Sequence, residues 1–84
     1  MELKEQKITV HYYAIFREQA DKTKEERTTL SGTPEELYYE LKEEYAFTLS
    51  IELVKVAINN VYSNMDAELN DGDEVLFIAP VAGG

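Results

Sequence analysis

Apolar and polar side chains alternate at the start of this chain in the way that marks a strand. In residues 7–14 every second side chain is apolar: Ile8, Val10, Tyr12 and Ala14. A period of two places these residues on one face of a strand, and Thr9, His11 and Tyr13 on the other. The pattern therefore predicts a first strand whose two faces both carry aromatic side chains.

Four further strands follow from similar patterns, in residues 26–30, 54–58, 61–62 and 74–79. Asn59-Asn60 tolerates positive φ and predicts a tight hairpin turn, and residues 70–73 (NDGD) predict a second turn. Pro80 ends the last strand because it has no N–H for the ladder. Residues 16–24 are polar and predict a short helical turn or a loop.

A helix start stands out at residues 33–36. Thr33 suits the N-cap, Pro34 suits the first helical position, and Glu36 completes a capping box. An apolar stripe follows: Leu37, Tyr38, Leu41 and Tyr45. Acidic residues fill the rest and repel at i,i+4, so we expect the helix to depend on packing against a sheet and its acidic face to be a solvated surface.

Residues 46–53 fit two structures. Phe47, Leu49, Ile51 and Leu53 alternate as in a strand, but the segment also fits an apolar loop laid over the core. The other elements run β, β, α, β, β, β. This order predicts an α+β fold of the β-grasp kind, a mixed four- to five-stranded sheet with one main helix across one face. We expect one domain in residues 1–79 and a flexible tail in residues 80–84.

One helix covers only one face of such a sheet. The uncovered face carries Tyr13, Leu76 and Ile78, with Tyr62 nearby. An exposed apolar cluster on an acidic protein predicts a surface for a protein partner. The alternative is that residues 46–53 fold over it.

Composition narrows the function. The 84 residues include 8 Lys and Arg and 17 Asp and Glu, so the net charge is −9. This charge disfavours binding to nucleic acid and to anionic membranes. There is no cysteine and only one histidine, His11, so the chain offers few of the ligands from which metal sites are usually built. No apolar run approaches the roughly 20 residues of a membrane span, and no signal peptide is visible, so we expect a cytoplasmic protein.

The C-terminal Gly83-Gly84 is the feature that points to chemistry. Two residues without Cβ atoms can thread a narrow channel. The terminal carboxyl group has a pKa of about 3.5, so it is ionised at neutral pH and can attack an activated phosphate. Gly84 is thus the candidate reactive residue, acting inside another protein's active site; the alternative is a frayed terminus.

Several segments together resemble the small subunit of molybdopterin synthase, a sulfur carrier of the MoaD type. Residues 71–84 (DGDEVLFIAPVAGG) resemble the closing signature of that family, and residues 10–18 (VHYYAIFRE) its first strand and following turn. The Thr33-Pro34 helix start and residues 56–59 (VAIN) also match. Ala79 departs from the pattern, because members often carry a second proline there.

The resemblance implies a mechanism. An adenylating enzyme would consume ATP to activate Gly84, and sulfur would then replace AMP to leave a thiocarboxylate. The tail would enter the active site of the large subunit and donate sulfur to cyclic pyranopterin monophosphate. Catalytic side chains would belong to the large subunit, in a heterotetramer, and this chain would bind no cofactor itself.

The resemblance also assigns partner contacts. They fall on Tyr13, Tyr62 and Ile78, on the tail residues Pro80, Val81 and Ala82, and on Arg17, whereas Gly83 is assigned with Gly84 to the reactive site. For Arg17 a docking ion pair and an ordinary surface arginine are both open. Three other functions remain open as well: a thiamin-type sulfur carrier, a ubiquitin-like modifier that joins Gly84 to lysines, and a binding module with an inert tail.

Overall fold

A computed structural model of the chain describes residues 4–80. Its elements are, in chain order, β1 (Gln6–His11), α1 (Ala14–Ala20), β2 (Lys24–Thr29), α2 (Pro34–Tyr45), a 3-10 turn (Ile51–Leu53), β3 (Lys55–Ile58), β4 (Val61–Ser63) and β5 (Glu74–Ile78). The strands form one sheet in the order β2-β1-β5-β3-β4. β1 and β5 run parallel and the other neighbours are antiparallel, so the sheet is mixed.

The α+β fold predicted from the sequence is confirmed, with five strands. The main helix α2 lies against one face of the sheet and buries Leu37, Tyr38 and Leu41 completely. From the sheet, Ile8, Val10, Val56, Val75 and Phe77 complete the core. Fully burying one such side chain contributes roughly 1.5–3 kcal/mol.

The start of α2 follows the predicted capping box, with one difference. The Thr33 hydroxyl accepts a hydrogen bond from the Glu36 N–H at 3.2 Å. The Glu36 carboxylate, however, accepts from the N–H of Gly32 at 2.7 Å, one residue before the N-cap. The helix start is therefore satisfied by two reciprocal bonds, the second of them one residue earlier than a standard capping box.

The acidic face of α2 is exposed to solvent along most of its length, but two of its carboxylates also bind a residue of β2. Arg27 on β2 donates from Nε to Glu40 at 2.8 Å, and its Nη2 pairs with Glu44. Glu40 also accepts hydrogen bonds from the hydroxyls of Thr29 and Ser31. One guanidinium thus binds two carboxylates that would repel each other on an isolated helix, and joins α2 to the sheet edge.

A third carboxylate, that of Glu25, lies at the centre of the same polar network. It accepts hydrogen bonds from Tyr12 at 2.6 Å, from Tyr45 at 2.7 Å, and from Lys22 and Arg27. Burial by itself raises the pKa of Glu25, but these four donors outweigh burial and hold its pKa at about 2. Glu25 is therefore ionised in the folded protein at any pH near neutral.

The first strand is shorter than predicted. β1 ends at His11, and Ala14 is exposed rather than on the covered face. Ala14 has a φ of 52°, which turns the chain sharply out of the sheet and into α1. Of the two structures predicted for residues 16–24, the helical one is correct for residues 16–20, and Phe16 and Ala20 are buried. α1 is an element that the predicted order lacked.

Residues 46–53 form a loop that ends in the 3-10 turn, so the strand alternative was wrong. Phe47 is buried against the aromatic core, with its ring centroid 5.9 Å from that of Tyr38 and 4.9 Å from that of Phe16. The segment thus packs on the helix side and leaves the other face of the sheet open. β2 also differs from its prediction, since it begins at Lys24 and leaves Leu30 outside, half exposed.

Both predicted turns are confirmed. Asn59 and Asn60 have φ values of 53° and 70° in the two-residue connection between β3 and β4, as a type I′ hairpin requires. In the second turn Gly72 has a φ of 89°, and its N–H donates to the Lys7 carbonyl at 2.8 Å. That bond attaches the turn before β5 to the start of β1.

The depressed pKa of Glu25 predicts a specific pH dependence of stability. Because the folded pKa lies near 2 and the unfolded value near 4.5, this contribution is complete above pH 4.5 and is lost as the pH falls through 2. We expect Glu25→Gln to lower the free energy of unfolding at pH 7 by about 2 kcal/mol, allowing for solvent screening. Denaturant melts between pH 2 and 7 measure this.

Glu26→Gln is the matched control, because Glu26 is the next residue on β2 and is exposed. Its stability curve should follow that of the unmodified chain across the whole range. Equal loss of stability between pH 4.5 and 2 in the unmodified chain and in Glu25→Gln would contradict the assignment.

Candidate functional site

The C-terminal end of the sheet's central strand is where the sequence analysis placed the chemistry. β5 is paired on both sides, with Val75 opposite Val10 of β1 and Phe77 opposite Val56 of β3. Val75 and Phe77 are buried in the core. The part of the chain that the structure describes therefore ends just after the central strand of the sheet.

Beyond β5 the structure describes two residues. Ala79 is half-buried and packs against the core, and Pro80 is exposed. Four of the predicted site residues, Val81, Ala82, Gly83 and Gly84, lie outside the described residues. The roles predicted for them remain predictions.

The face of the sheet opposite α2 carries the predicted partner contacts. We call it the open face; its residues are His11, Tyr13, Ala57, Tyr62, Glu74, Leu76 and Ile78. Tyr62 is 78% exposed and Tyr13 is 56% exposed, whereas Leu76 and Ile78 are half-buried. The register places His11, Leu76, Ala57 and Tyr62 in one row across four strands. Exposed aromatic rings over an aliphatic floor are typical of a docking surface.

Two hollows lie on the open face. The larger has a volume of about 390 Å³ and is lined by Tyr13, Ala14, Leu76, Phe77, Ile78 and Ala79. It therefore brings Tyr13 and Ile78, two of the predicted contacts, together beside the root of the tail. The smaller, of about 110 Å³, is lined by His11, Tyr13, Ala57, Asn60, Glu74 and Leu76.

Arg17 stands apart from the other predicted contacts. It lies on α1 and is exposed, and it lines neither of these hollows. Within residues 4–80 its guanidinium forms no ion pair with a carboxylate. Its backbone is held, since the N–H of Asp21 donates to the Arg17 carbonyl at 2.9 Å. Docking and an ordinary surface role both remain open for its side chain.

Sequence reasoning missed a hydrogen-bonded pair on the open face. His11 Nε2 lies 2.8 Å from Glu74 Oε1, and both residues line the smaller hollow. Alternation does place each residue on the uncovered face of its own strand. Their contact depends on the parallel register of β1 and β5, which opposes His11 to Leu76, and no local signal encodes that register.

Residues 4–80 lack the features of a metal site and of a membrane-spanning helix. No cluster of three or more histidine, aspartate or glutamate side chains there has the geometry to hold a metal ion. In the same stretch, neither helix is long and apolar enough to cross a membrane.

Comparison with known proteins gives a family. The model of the ThiS family matches residues 10–84 of this chain. The molybdopterin synthase sulfur carrier subunit of Mycobacterium tuberculosis is 36% identical, over 93% of this chain and 98% of its own. This chain belongs to the ThiS family. The resemblance noted in the sequence is thereby confirmed.

Solved structures agree with that assignment. A putative molybdopterin converting factor subunit 1 from Pyrococcus furiosus is 30% identical, with a TM-score of 0.74 over 90% of this chain and 99% of its own. A complex of subunits 1 and 2 of the molybdopterin-converting factor from Helicobacter pylori contains a chain of the same fold, 22% identical, with a TM-score of 0.62 over 94% of this chain and 100% of its own. The fold is the ubiquitin-like β-grasp, and the chain is a carrier of the MoaD and ThiS type.

Proposed function

We propose that this chain is the sulfur carrier subunit of a molybdopterin synthase and that the carboxyl group of Gly84 carries the sulfur. The observation that carries the proposal is the C-terminal Gly83-Gly84, separated by four residues from the end of β5, in a ThiS family member 36% identical to a molybdopterin synthase sulfur carrier subunit. Thiamin-type carriers share the Gly-Gly chemistry. The identity to the Mycobacterium tuberculosis subunit over 93% of the chain favours the molybdopterin function.

The proposed activation takes place on an ATP-dependent adenylating enzyme. A carboxylate oxygen of Gly84 attacks the α-phosphate of ATP, and pyrophosphate leaves. Hydrosulfide then attacks the acyl carbon, and AMP leaves with one of the two carboxylate oxygens, so that the product is a thiocarboxylate with one oxygen exchanged for sulfur. Every step uses the main-chain carboxyl group, and no side chain of this protein takes part in bond breaking.

The length of the tail suits this chemistry. Four residues follow Pro80, and an extended chain spans roughly 3.3–3.6 Å per residue, or about 13–14 Å in all. That reach is sufficient to place the end of Gly84 inside a buried pocket of another protein. The absence of Cβ atoms at Gly83 and Gly84 lets the last part of the tail pass a narrow entrance.

The proposed partner is the large subunit of molybdopterin synthase, bound to the open face. Tyr13, Tyr62 and Ile78 would supply the apolar contacts, next to the strand from which the tail leaves. The Helicobacter pylori complex supports this, because its fold-related chain is solved together with a second subunit. The large subunit would hold the cyclic pyranopterin substrate and the catalytic side chains, in the cytoplasm where ATP is available.

The exchange of oxygen for sulfur predicts a change of mass. Chain incubated with its adenylating enzyme, ATP and a sulfur source should become about 16 Da heavier, the difference between one sulfur and one oxygen. Intact-mass spectrometry measures this, and fragmentation should locate the change at Gly84. Incubation without ATP is the control. Attachment to lysines of other proteins, with no thiocarboxylate on the free chain, would instead indicate a modifier.

Removal of Gly84 should abolish sulfur transfer and leave the thermal midpoint almost unchanged. The reason is that the reactive group lies six residues beyond β5, the last strand of the core. Addition of one residue after Gly84 should have the same effect. The measurement is molybdopterin formation with the large subunit and its substrate, next to a thermal melt. Full activity in either variant would refute a reactive Gly84.

Ile78→Asp should break the docking surface. Ile78 is half-buried on the open face at the end of the central strand, and a carboxylate there would be desolvated against an apolar partner. We expect binding to the large subunit to weaken by about 2 kcal/mol or more, or roughly 30-fold, as for an interface hot spot. Calorimetric titration measures this.

Leu30→Asp is the control for that experiment. Leu30 is 50% exposed and follows β2 outside the open face, so the same change of chemistry there should leave affinity unchanged. Equal affinity of Ile78→Asp and the unmodified chain would show that the large subunit binds elsewhere.

A further inference from the structure

Glu74 places an ionised side chain among the apolar residues of the open face. Its side chain is 62% exposed, and Oε1 lies 2.8 Å from Nε2 of His11. An ionised carboxylate has only acceptor sites, so His11 must be the donor in this hydrogen bond. This bond satisfies Oε1, and within the described residues the second oxygen of Glu74 has no hydrogen-bond partner.

The position of Glu74 is rigid. Its N–H donates to the side-chain oxygen of Asn59 at 2.9 Å, and its carbonyl accepts from the Asn59 N–H at 2.8 Å. β1 pairs with it on the other side, where Thr9 is its partner. With the backbone held on both sides and Oε1 held by His11, the second oxygen has a defined position.

That carboxylate lines the smaller hollow of the open face, the one of about 110 Å³. Ala57 and Leu76 give it an apolar floor, and the ring of Tyr13 forms part of its wall. The small volume of this hollow suits the end of one side chain better than a larger ligand.

Within residues 4–80, no lysine or arginine pairs with the Glu74 carboxylate. Lys24 is the cross-strand neighbour of His11, and Lys55 is the cross-strand neighbour of Ile78. Within the described residues neither lysine forms an ion pair with Glu74, whose partner there is His11. The charge of Glu74 is therefore available to a partner.

We propose that this hollow receives one cationic side chain, best an arginine, from the large subunit that docks on the open face. The inference rests on the proposed function and adds the chemistry of the partner. A partner that covers the face takes the Glu74 carboxylate out of water, and an uncompensated buried charge is strongly unfavourable. A guanidinium on the second oxygen removes that cost and can also stack on the Tyr13 ring.

The overall charge fits the same partner. A surface that complements a chain of net charge −9 is expected to be basic. Glu26 provides an internal comparison, because it lies on the same row of the sheet as Glu74, on the far side of Thr9. It carries the same charge on the same face but lines neither hollow of that face.

The test is calorimetric titration of the purified large subunit with four forms of the chain: unmodified, Glu74→Gln, Glu26→Gln and Ile78→Asp. We expect Glu74→Gln to weaken binding by about tenfold or more and to reduce the dependence of affinity on salt. Glu26→Gln should stay within about twofold of the unmodified chain, as for a charge outside the contact. Thermal melts check that each variant is folded, and Glu74→Ala repeats the test if Glu74→Gln is not.

Two results would overturn the inference and leave the docking surface intact. One is that Glu74→Gln binds as tightly as the unmodified chain while Ile78→Asp does not. The other is that Glu74→Gln and Glu26→Gln weaken binding equally, which would indicate a general effect of net charge. If Ile78→Asp also binds normally, the open face is not the docking surface, and the proposed mode of docking fails together with the inference.

Discussion

The parallel pairing of β1 with β5 is the constraint on which the rest of this structure depends. It makes the last strand of the chain the central strand of the sheet, between β1 and β3. The residues before Pro80 are thereby held by hydrogen bonds on both sides and by the burial of Val75 and Phe77. The pairing therefore fixes the backbone that immediately precedes the C-terminal residues, on which the proposed chemistry depends.

Local signals in the sequence were sufficient for much of the fold. The Thr33-Pro34 helix start, the Asn59-Asn60 hairpin and the turn at Gly72 each depend on backbone chemistry within a few residues, and the structure has all three. The open face followed from alternation, because a single main helix covers one side of a sheet. The reactive tail was predicted from composition and resemblance, and its four last residues lie outside the described part.

What sequence reasoning missed depends on contacts distant in the chain. α1 has a largely polar surface and packs on the core through Phe16. The ring of Phe16 contacts Tyr38 and Phe47, which come from other segments of the chain. From the sequence of α2 alone, Glu40 and Glu44 are expected to repel each other. In the structure Arg27 of β2 pairs with both. In both cases the partner is set by tertiary packing, and neighbouring residues carry no sign of it.

Each face of the sheet carries a glutamate, and the two glutamates differ in the number of hydrogen-bond donors around them. On the covered face, Glu25 is half-buried with four donors around it, and one of them, the Tyr45 hydroxyl, joins β2 to α2. On the open face, Glu74 has one donor, and the surrounding Tyr13 and Leu76 are left without a covering element. A carboxylate that is satisfied within its own chain stabilises the fold. A carboxylate that has only one donor and lies among apolar residues costs free energy when a partner protein covers it. That cost is removed if the partner brings a cation. Selectivity of docking then follows from the same electrostatics that hold the domain together.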